Sequence, residues 1–306
     1  MSKALELHYH CGLPLCKVPA VLRSFTGLAL SQSAITQAVG TLCAPGGHLH
    51  ATYLELREEV KTSPVVNTDD TGWRIGGKLA FLMGFFTPDL AVFQVRWHHR
   101  HQEVLEVLGA TFDGLLGTDR GSSYEALAMS EIEQQKCLSH LLKNLSAVEE
   151  TKKVPAKTFA RNLKEILREA NQLWSDYQKG ECTLETYRER GLPIREKLTD
   201  ELRHRVLKDR DNPRLLDGIG RQHRNGKVLL FLERPEIEPT NNRAERGLRG
   251  AVIARKVSHC SKNERGAGIY EVMKSITATI ALRGFQVATT LADMLTGKPM
   301  PKAPSR

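Results

Sequence analysis

Hydrophobic and polar positions follow two different periods along this chain, and the switches between them mark its blocks. Val18–Leu28 and Ser31–Leu42 carry apolar residues at helical spacing. Thr26-Gly27 and Ala44-Pro45-Gly46-Gly47 punctuate them, and Ser31 or Ser33 can cap the second. Two short helices across a glycine turn fit a helix-turn-helix loosely, and a plain helical hairpin is the simpler reading. From Pro64 the period becomes that of strands. Val65–Asp69, Lys78–Phe86 and Leu90–Arg96 predict an antiparallel three-strand meander, with turns at Gly72, Gly76-Gly77 and Thr87-Pro88-Asp89. His101–Gly109 predicts a helix with Val104, Leu105 and Leu108 on one face. Gly114–Thr118 predicts a short buried strand ending at Asp119, Tyr124–Met129 the start of another helix, and Gln135–Leu138 one more strand.

Residues from about 140 to 210 are charged and helix-favouring, with spaced apolar positions such as Leu163, Leu167 and Trp174. They predict a mostly helical insertion, broken at Lys179-Gly180 and Gly191-Leu192-Pro193. Lys227–Leu232 is a helix end or a strand, and Pro235 and Pro239 bracket a loop. Asn241–Arg255 is a strong helix candidate capped by Thr240 or Asn241. Tyr270–Leu295 is a final apolar helical stretch broken near Arg283-Gly284, and Gly297 to Arg306 predicts a frayed tail. Strands, helix, strand, helix, helical insert and helix together give an α/β order with mixed sheet pairing.

Composition narrows the partners. In 306 residues, 44 Lys and Arg face 35 Asp and Glu, a net charge of +9 that leaves nucleic acid, phosphate or an acidic surface as partners and selects none alone. Hydrophobic residues at 41% and charged residues at 26% exclude global disorder. The longest apolar run, Leu79–Phe86, is strand-sized and falls short of the roughly 18 residues that span a bilayer. The first residues, MSKALELHYH, contain no long apolar core followed by a cleavage site, so a secretory signal is not expected. Six cysteines without a CxxC pair predict reduced thiols in a cytoplasmic protein. Cys11, Cys16, His8 and His10, or Cys137 with His140, make poor zinc sets, because a structural zinc wants four ligands at workable spacing. The run His98-His99-Arg100-His101 reads as a solvated turn, and Trp73 and Trp97 read as core residues.

Three acidic positions carry the candidate chemistry. Asp69-Asp70 closes an apolar strand before Thr71-Gly72, and Asp119 closes another before Arg120-Gly121; both also fit ordinary turn chemistry. If Asn241–Arg255 is helical, Asn242, Glu245 and Arg249 share one face. Five basic residues and one acid lie between 241 and 256. A surface Glu–Arg pair explains part of that pattern but not the two asparagines or the clustered arginines. Three oxygen donors in a basic surround suit metal-assisted phosphoryl transfer, with Mg²⁺ as the hard ion that needs few carboxylates.

At these residues the sequence resembles the transposases of the bacterial insertion-sequence 66 family, a DDE-type group with an RNase H-like core. The resemblance runs from about Tyr9-His10 to about Gly297. PTNNRAERGLRGAVIARKVS (239–258) looks like the final catalytic block, and DDTGWRI (69–75), GTDRGSSYEAL (117–127) and CLSHLLKNL (137–145) look like the others, in order. It implies an RNase H-like mixed sheet flanked by helices, with a helical insertion before the last catalytic helix. It implies Asp69, Asp119 and Glu245 as catalytic acids and ligands of Mg²⁺, for which Mn²⁺ can substitute. The family's first block reads Asp-Glu-Thr, so Asp70 is the departure and an accessory candidate, as is His140. Asn242, Arg243, Arg246, Arg249, Arg255 and Lys256 are the DNA-binding candidates. The implied activity is cleavage of a DNA strand and its transfer to target DNA, by a homodimer or larger assembly with possible accessory proteins of the element. The alternative is an inactive or truncated DNA-binding relict, because the chain begins about where the family's N-terminal recognition region should end. The expected organisation is a helical N-terminal segment with a possible DNA-binding use (1–62), the first part of the core (63–145), the insertion (146–235), the final catalytic and C-terminal helices (236–296) and a flexible tail (297–306).

Overall fold

The computed structural model describes residues 1–154, 156–203, 213–258 and 260–304. Residues 155 and 204–212 of the predicted insertion and the last two residues of the predicted tail lie outside the described residues. In chain order the elements are α1 (Ser2–Leu5), α2 (Val18–Thr26), α3 (Gln32–Leu42), α4 (His48–Lys61), β1 (Val65–Ile75), β2 (Lys78–Phe86), β3 (Ala91–Arg96), α5 (His101–Leu108), β4 (Leu115–Thr118), β5 (Gln134–Lys136), α6 (Leu138–Thr151), α7 (Ala156–Gln178), α8 (Leu184–Arg203), α9 (Pro213–Arg224), α10 (Asn242–Ser258), α11 (Glu264–Leu282) and α12 (Val287–Leu295). The class is mixed α/β. The chain divides into two compact units, residues 1–112 with 242–306, and residues 113–241.

The first unit is built on the antiparallel meander. β1 and β2 pair from Asn67↔Phe86 to Ile75↔Lys78, and β2 pairs with β3 from Phe81↔Arg96 to Phe86↔Ala91. The turn between β1 and β2 is Gly76-Gly77, with φ of 57° and 82°. Two successive positive φ values form the tight hairpin whose twist matches the strands, and only glycine adopts them freely. β1 therefore runs on to Ile75, and the expected strand end at Asp69 is corrected. Asp69 and Asp70 lie inside a strand, and Gly72 is a strand residue rather than a turn.

The open edge of β3 is closed by a helix. Three amides of β3 reach side chains of α11: Ala91 N donates to Thr279 Oγ1 (3.1 Å), Phe93 N to Ser275 Oγ (2.8 Å) and Val95 N to Glu271 Oε1 (2.7 Å). The match is geometric. Four helical residues rise about 6 Å and two strand residues about 6.7 Å, so acceptors spaced by four meet amides spaced by two. α11 also buries Tyr270, Val272, Met273, Ile276 and Ile280 in the core. Asn263 caps it by accepting from Gly266 N. The break predicted near Arg283-Gly284 is present, with Gly284 at φ 80°. Trp73 is fully buried as expected, whereas Trp97 is 39% exposed and donates to Glu264, which corrects its reading as core.

The second unit holds the parallel pair β4–β5, with Leu116↔Gln134 and Thr118↔Lys136 as partners. The carbonyls of Lys227 and Val228 accept from Lys136 N and Gln135 Nε2 along β5. The run Lys227–Leu232 leads into a short 3-10 turn at Leu230–Leu232. α6, α7 and α8 pack through Leu141, Leu163, Leu167, Tyr187 and Leu198. The Tyr187 hydroxyl donates to Phe231 O at 2.7 Å. Two expectations are corrected here. Tyr124–Met129 is not the start of an α-helix but follows two 3-10 turns, Ser122–Glu125 and Leu127–Met129. Gly191-Leu192-Pro193 does not break α8, which carries Pro193 inside it; proline removes one hydrogen bond there, and packing of Tyr187, Ile194 and Leu198 holds the turns on either side. The break at Lys179-Gly180 holds, with Gly180 at φ 75°.

Candidate active site

In the first unit, strand alternation separates the acidic pair. Asp69 lies opposite Gly84 and shares its face with Thr71, and Asp70 lies opposite Met83 on the other face. α10 covers the Asp69 face: the Arg255 guanidinium donates to Thr71 Oγ1 (3.0 Å) and to Gly72 O, and Leu248 lies over Gly84. On the opposite face Gln94 Nε2 donates to Glu103 O of α5. There Asp70 Oδ2 sits 3.3 Å from His99 Nδ1, and the His99 ring stacks on Phe81 at 3.9 Å with 7° between planes. His99 is thus a partner of Asp70 rather than merely a solvated turn residue. The Asp69 carboxylate accepts the amide of Asp70 at 2.9 Å.

The closeness of α10 to the strands depends on two glycines. A Cβ at Gly247 would fall 2.2 Å from the Phe86 ring, and one at Gly84 2.5 Å from its other edge. Phe86 is therefore clasped between the helix and its own strand, with Phe93 edge-on at 5.4 Å. Ala244, Leu248, Ala251 and Ala254 form the buried stripe of α10. Glu245, Arg246, Arg249 and Lys256 are exposed, and Asn242, Arg243 and Arg255 are half-buried. Glu245 lies in the first turn, where the helix dipole favours a negative charge. β1 and α10 thus place Asp69 and Glu245 on packed elements of one unit, beside a row of cations.

In the second unit Asp119 directly follows β4. Its Oδ1 accepts Gly121 N at 2.8 Å, and a Cβ at 121 would lie 2.9 Å from that oxygen. The Asp-x-Gly turn is real, and it also fixes the carboxylate. Beneath it Lys136 is fully buried, and its ammonium donates to Thr118 Oγ1 and Gln134 Oε1 at 3.1 Å and pairs with Glu125 at 2.9 Å. Burial pushes the Lys136 pKa down to about 8, although Glu125 pulls it up. His140 bonds the Cys137 thiol, which also accepts Asn241 N at 3.1 Å. Burial raises that thiol's pKa, and these bonds outweigh it and hold it below the ordinary value.

The sequence analysis did not single out Gly84, Phe86, Gly247 or Lys136. Their roles depend on contacts between residues remote in sequence, such as Phe86 against Gly247 and Lys136 against Glu125, which residue type and spacing do not disclose.

Carboxylates on a strand and at a helix start, beside exposed arginines, form the kind of surface that handles a phosphodiester backbone. Residues 1–269 match the Transposase IS66 family, and the chain belongs to that family. Its role is accordingly that of a transposase, a DNA-processing enzyme with DNA as substrate. No curated protein matches the chain. No helix among the described residues is long and apolar enough to cross a membrane.

Proposed function

We propose that the chain is the catalytic core of a DDE-type, RNase H-like transposase that cuts a DNA strand and joins the new 3′ end to target DNA, with Asp69, Asp119 and Glu245 as the metal-holding acids. The observation that carries the reading is the packing of α10 on the Asp69 face of β1, with Glu245 in its first turn among exposed arginines. The donor set suits Mg²⁺ or Mn²⁺: all three donors are carboxylates, Asp69 and Asp119 are half-buried and Glu245 is exposed. Sites of that kind let a hard ion keep part of its water shell. Bound divalent ions would supply positive charge against the phosphate and lower the pKa of water.

The chain's own groups do the rest. Backbone amides fix one oxygen of Asp69 and one of Asp119. Arg255 ties α10 to β1. Arg246 and Arg249, with Asn242, Arg243 and Lys256, hold the phosphates, a task suited to the planar guanidinium. In the first step a water oxygen bonds to phosphorus, the bond to the 3′ oxygen breaks, and that oxygen takes a proton to leave as a 3′-hydroxyl. In the second, this hydroxyl gives up its proton as its oxygen bonds to a target phosphorus, and the bond from that phosphorus to the target's 3′ oxygen breaks with that oxygen taking up a proton, so each bond lost is replaced. Two copies of the chain, one on each DNA end, fit this sequence of steps.

The test uses the full chain with duplexes carrying the DNA that flanks its own gene, in Mg²⁺ or Mn²⁺. Asp69→Asn, Asp119→Asn and Glu245→Gln should each abolish nicking and strand joining while leaving DNA binding intact. Asp70→Asn, on the other face, should keep most activity. Wild-type joining by the Asp119→Asn protein would refute the assignment. Binding that weakens steeply with salt, without any nicking by the unaltered chain, would favour a DNA-binding accessory protein instead.

A further inference from the structure

Where α10 ends, the first unit contains a cavity of about 530 Å³ that the proposed chemistry does not use. Val257 and Ser258 of α10 form part of its wall, with His8 from the N-terminal segment, Thr36 of α3, and Ile269 and Tyr270 of α11. The volume is in the range of small-molecule and cofactor sites. Three observations mark it as more than a packing defect.

The first is a hydrogen-bonding group without a partner. Tyr270 is 8% exposed, and its buried hydroxyl has no hydrogen-bond partner among the described residues. Such a group costs free energy unless something meets it. The second is strain. Cys260, also in the wall, has φ 70°, the one positive value outside glycine among the described residues. Its neighbour Ser261 is fastened to the end of β1, with Ser261 N donating to Arg74 O at 3.1 Å and Gly76 N to Ser261 O at 3.0 Å. A strained residue held by a rigid frame is characteristic of binding sites. The third is a fixed acceptor. His8 Nδ1 lies 2.8 Å from the carbonyl of Leu13 and must donate to it, which leaves Nε2 as the acceptor of a neutral ring.

We propose that this cavity receives one unpaired nucleobase of the DNA that α10 holds. The inference rests on the proposed function, since the basic helix is what brings DNA to the mouth. Lys256 lies on the last turn of α10, and exposed Lys262 belongs to the cavity wall, so cations continue from the helix to the opening. The wall offers what a base requires: apolar surface from Leu15, Val39 and Ile269 for its faces and His8 for its polar edge, while the shielded Tyr270 hydroxyl comes within reach as the base displaces the groups that cover it. A paired base keeps its edge within the duplex, so only a frayed or extruded one can enter.

The test measures binding by the full chain without divalent metal. The probes are a single-stranded oligonucleotide carrying one 2-aminopurine and the same sequence as duplex. Thr36→Trp, which fills the mouth, and Tyr270→Phe, which removes only the hydroxyl, should each weaken single-strand binding about tenfold, the scale of one base contact. Duplex binding should stay within about twofold, because phosphate contacts dominate it. Tyr270→Phe should leave the melting temperature of the free protein unchanged or higher, which separates a binding role from a structural one. Wild-type single-strand affinity in both variants overturns the proposal while leaving the transposase reading standing. A wild-type chain that binds neither DNA overturns both.

Discussion

Replacing Gly247 with alanine tests whether the seating of α10 on the strands sets the geometry of the acids. The added Cβ would fall 2.2 Å from the Phe86 ring. Carbon atoms rest about 3.5 Å apart, so something must give by about 1.3 Å. The ring cannot yield easily: Phe86 is buried, lies against Gly84 on its other edge and meets Phe93 edge-on. The helix therefore moves and carries Glu245, two residues away, with it. Overpacking should cost about 1–3 kcal/mol, and the gain in helix propensity from glycine to alanine offsets about 1 kcal/mol. The loss in stability should be small. A shift of about 1 Å at a reacting centre can cost about 100-fold in rate. The expected signature is thus metal-dependent nicking reduced about 100-fold at a nearly unchanged melting temperature. Combining Gly247→Ala with Phe86→Leu should restore part of the rate, because the smaller side chain frees the space. A Gly247→Ala protein that nicks at the wild-type rate, or a double variant no better than the single, would refute the reasoning.

Two further outcomes follow from the core of the first unit. Ser275→Ala removes the acceptor of Phe93 N and should destabilise by about 1–3 kcal/mol, with faster hydrogen exchange at that amide; unchanged exchange would show that α11 does not close the β3 edge. Lys274 is buried, donates to Tyr9 O at 3.1 Å, and burial lowers its pKa to about 8. Between about pH 8 and 10.5 the unfolded chain holds this proton more often than the folded one, so stability should rise with pH across that window. The rise should approach about 3 kcal/mol relative to Lys274→Met, read by urea unfolding at both ends of the window. Parallel pH profiles for the two proteins would count against it.

The sequence disclosed most where one physical cause dominated. The meander was legible because apolar runs and Gly76-Gly77 agree, and the cap at Ser31 because its hydroxyl accepts Ala34 N. Reading failed where two causes competed. Asp-Thr-Gly looked like a turn, yet the paired glycines four residues on decide where the chain reverses. Pro193 looked like a break, yet the buried face of α8 carries the helix past it. β5 was expected at Gln135–Leu138 and lies at Gln134–Lys136, with Leu138 already in α6; its three side chains are polar and buried, satisfied by partners remote in sequence such as Glu125 and Val228. α4 carried Leu49, Tyr53, Leu56 and Val60 at helical spacing but was passed over beside the glycines that precede it. Of the candidate acids, residue type and order were visible. The choice of Asp69 rather than Asp70 for the α10 side needed the register with β2.

The side chains of α11 that satisfy β3 also decide how two copies of this chain could associate. With Ala91, Phe93 and Val95 already served from within the fold, no strand from a neighbouring subunit can extend the meander at that border. A paired assembly on two DNA ends would have to be joined elsewhere on the molecule than at this border, or through the nucleic acid itself.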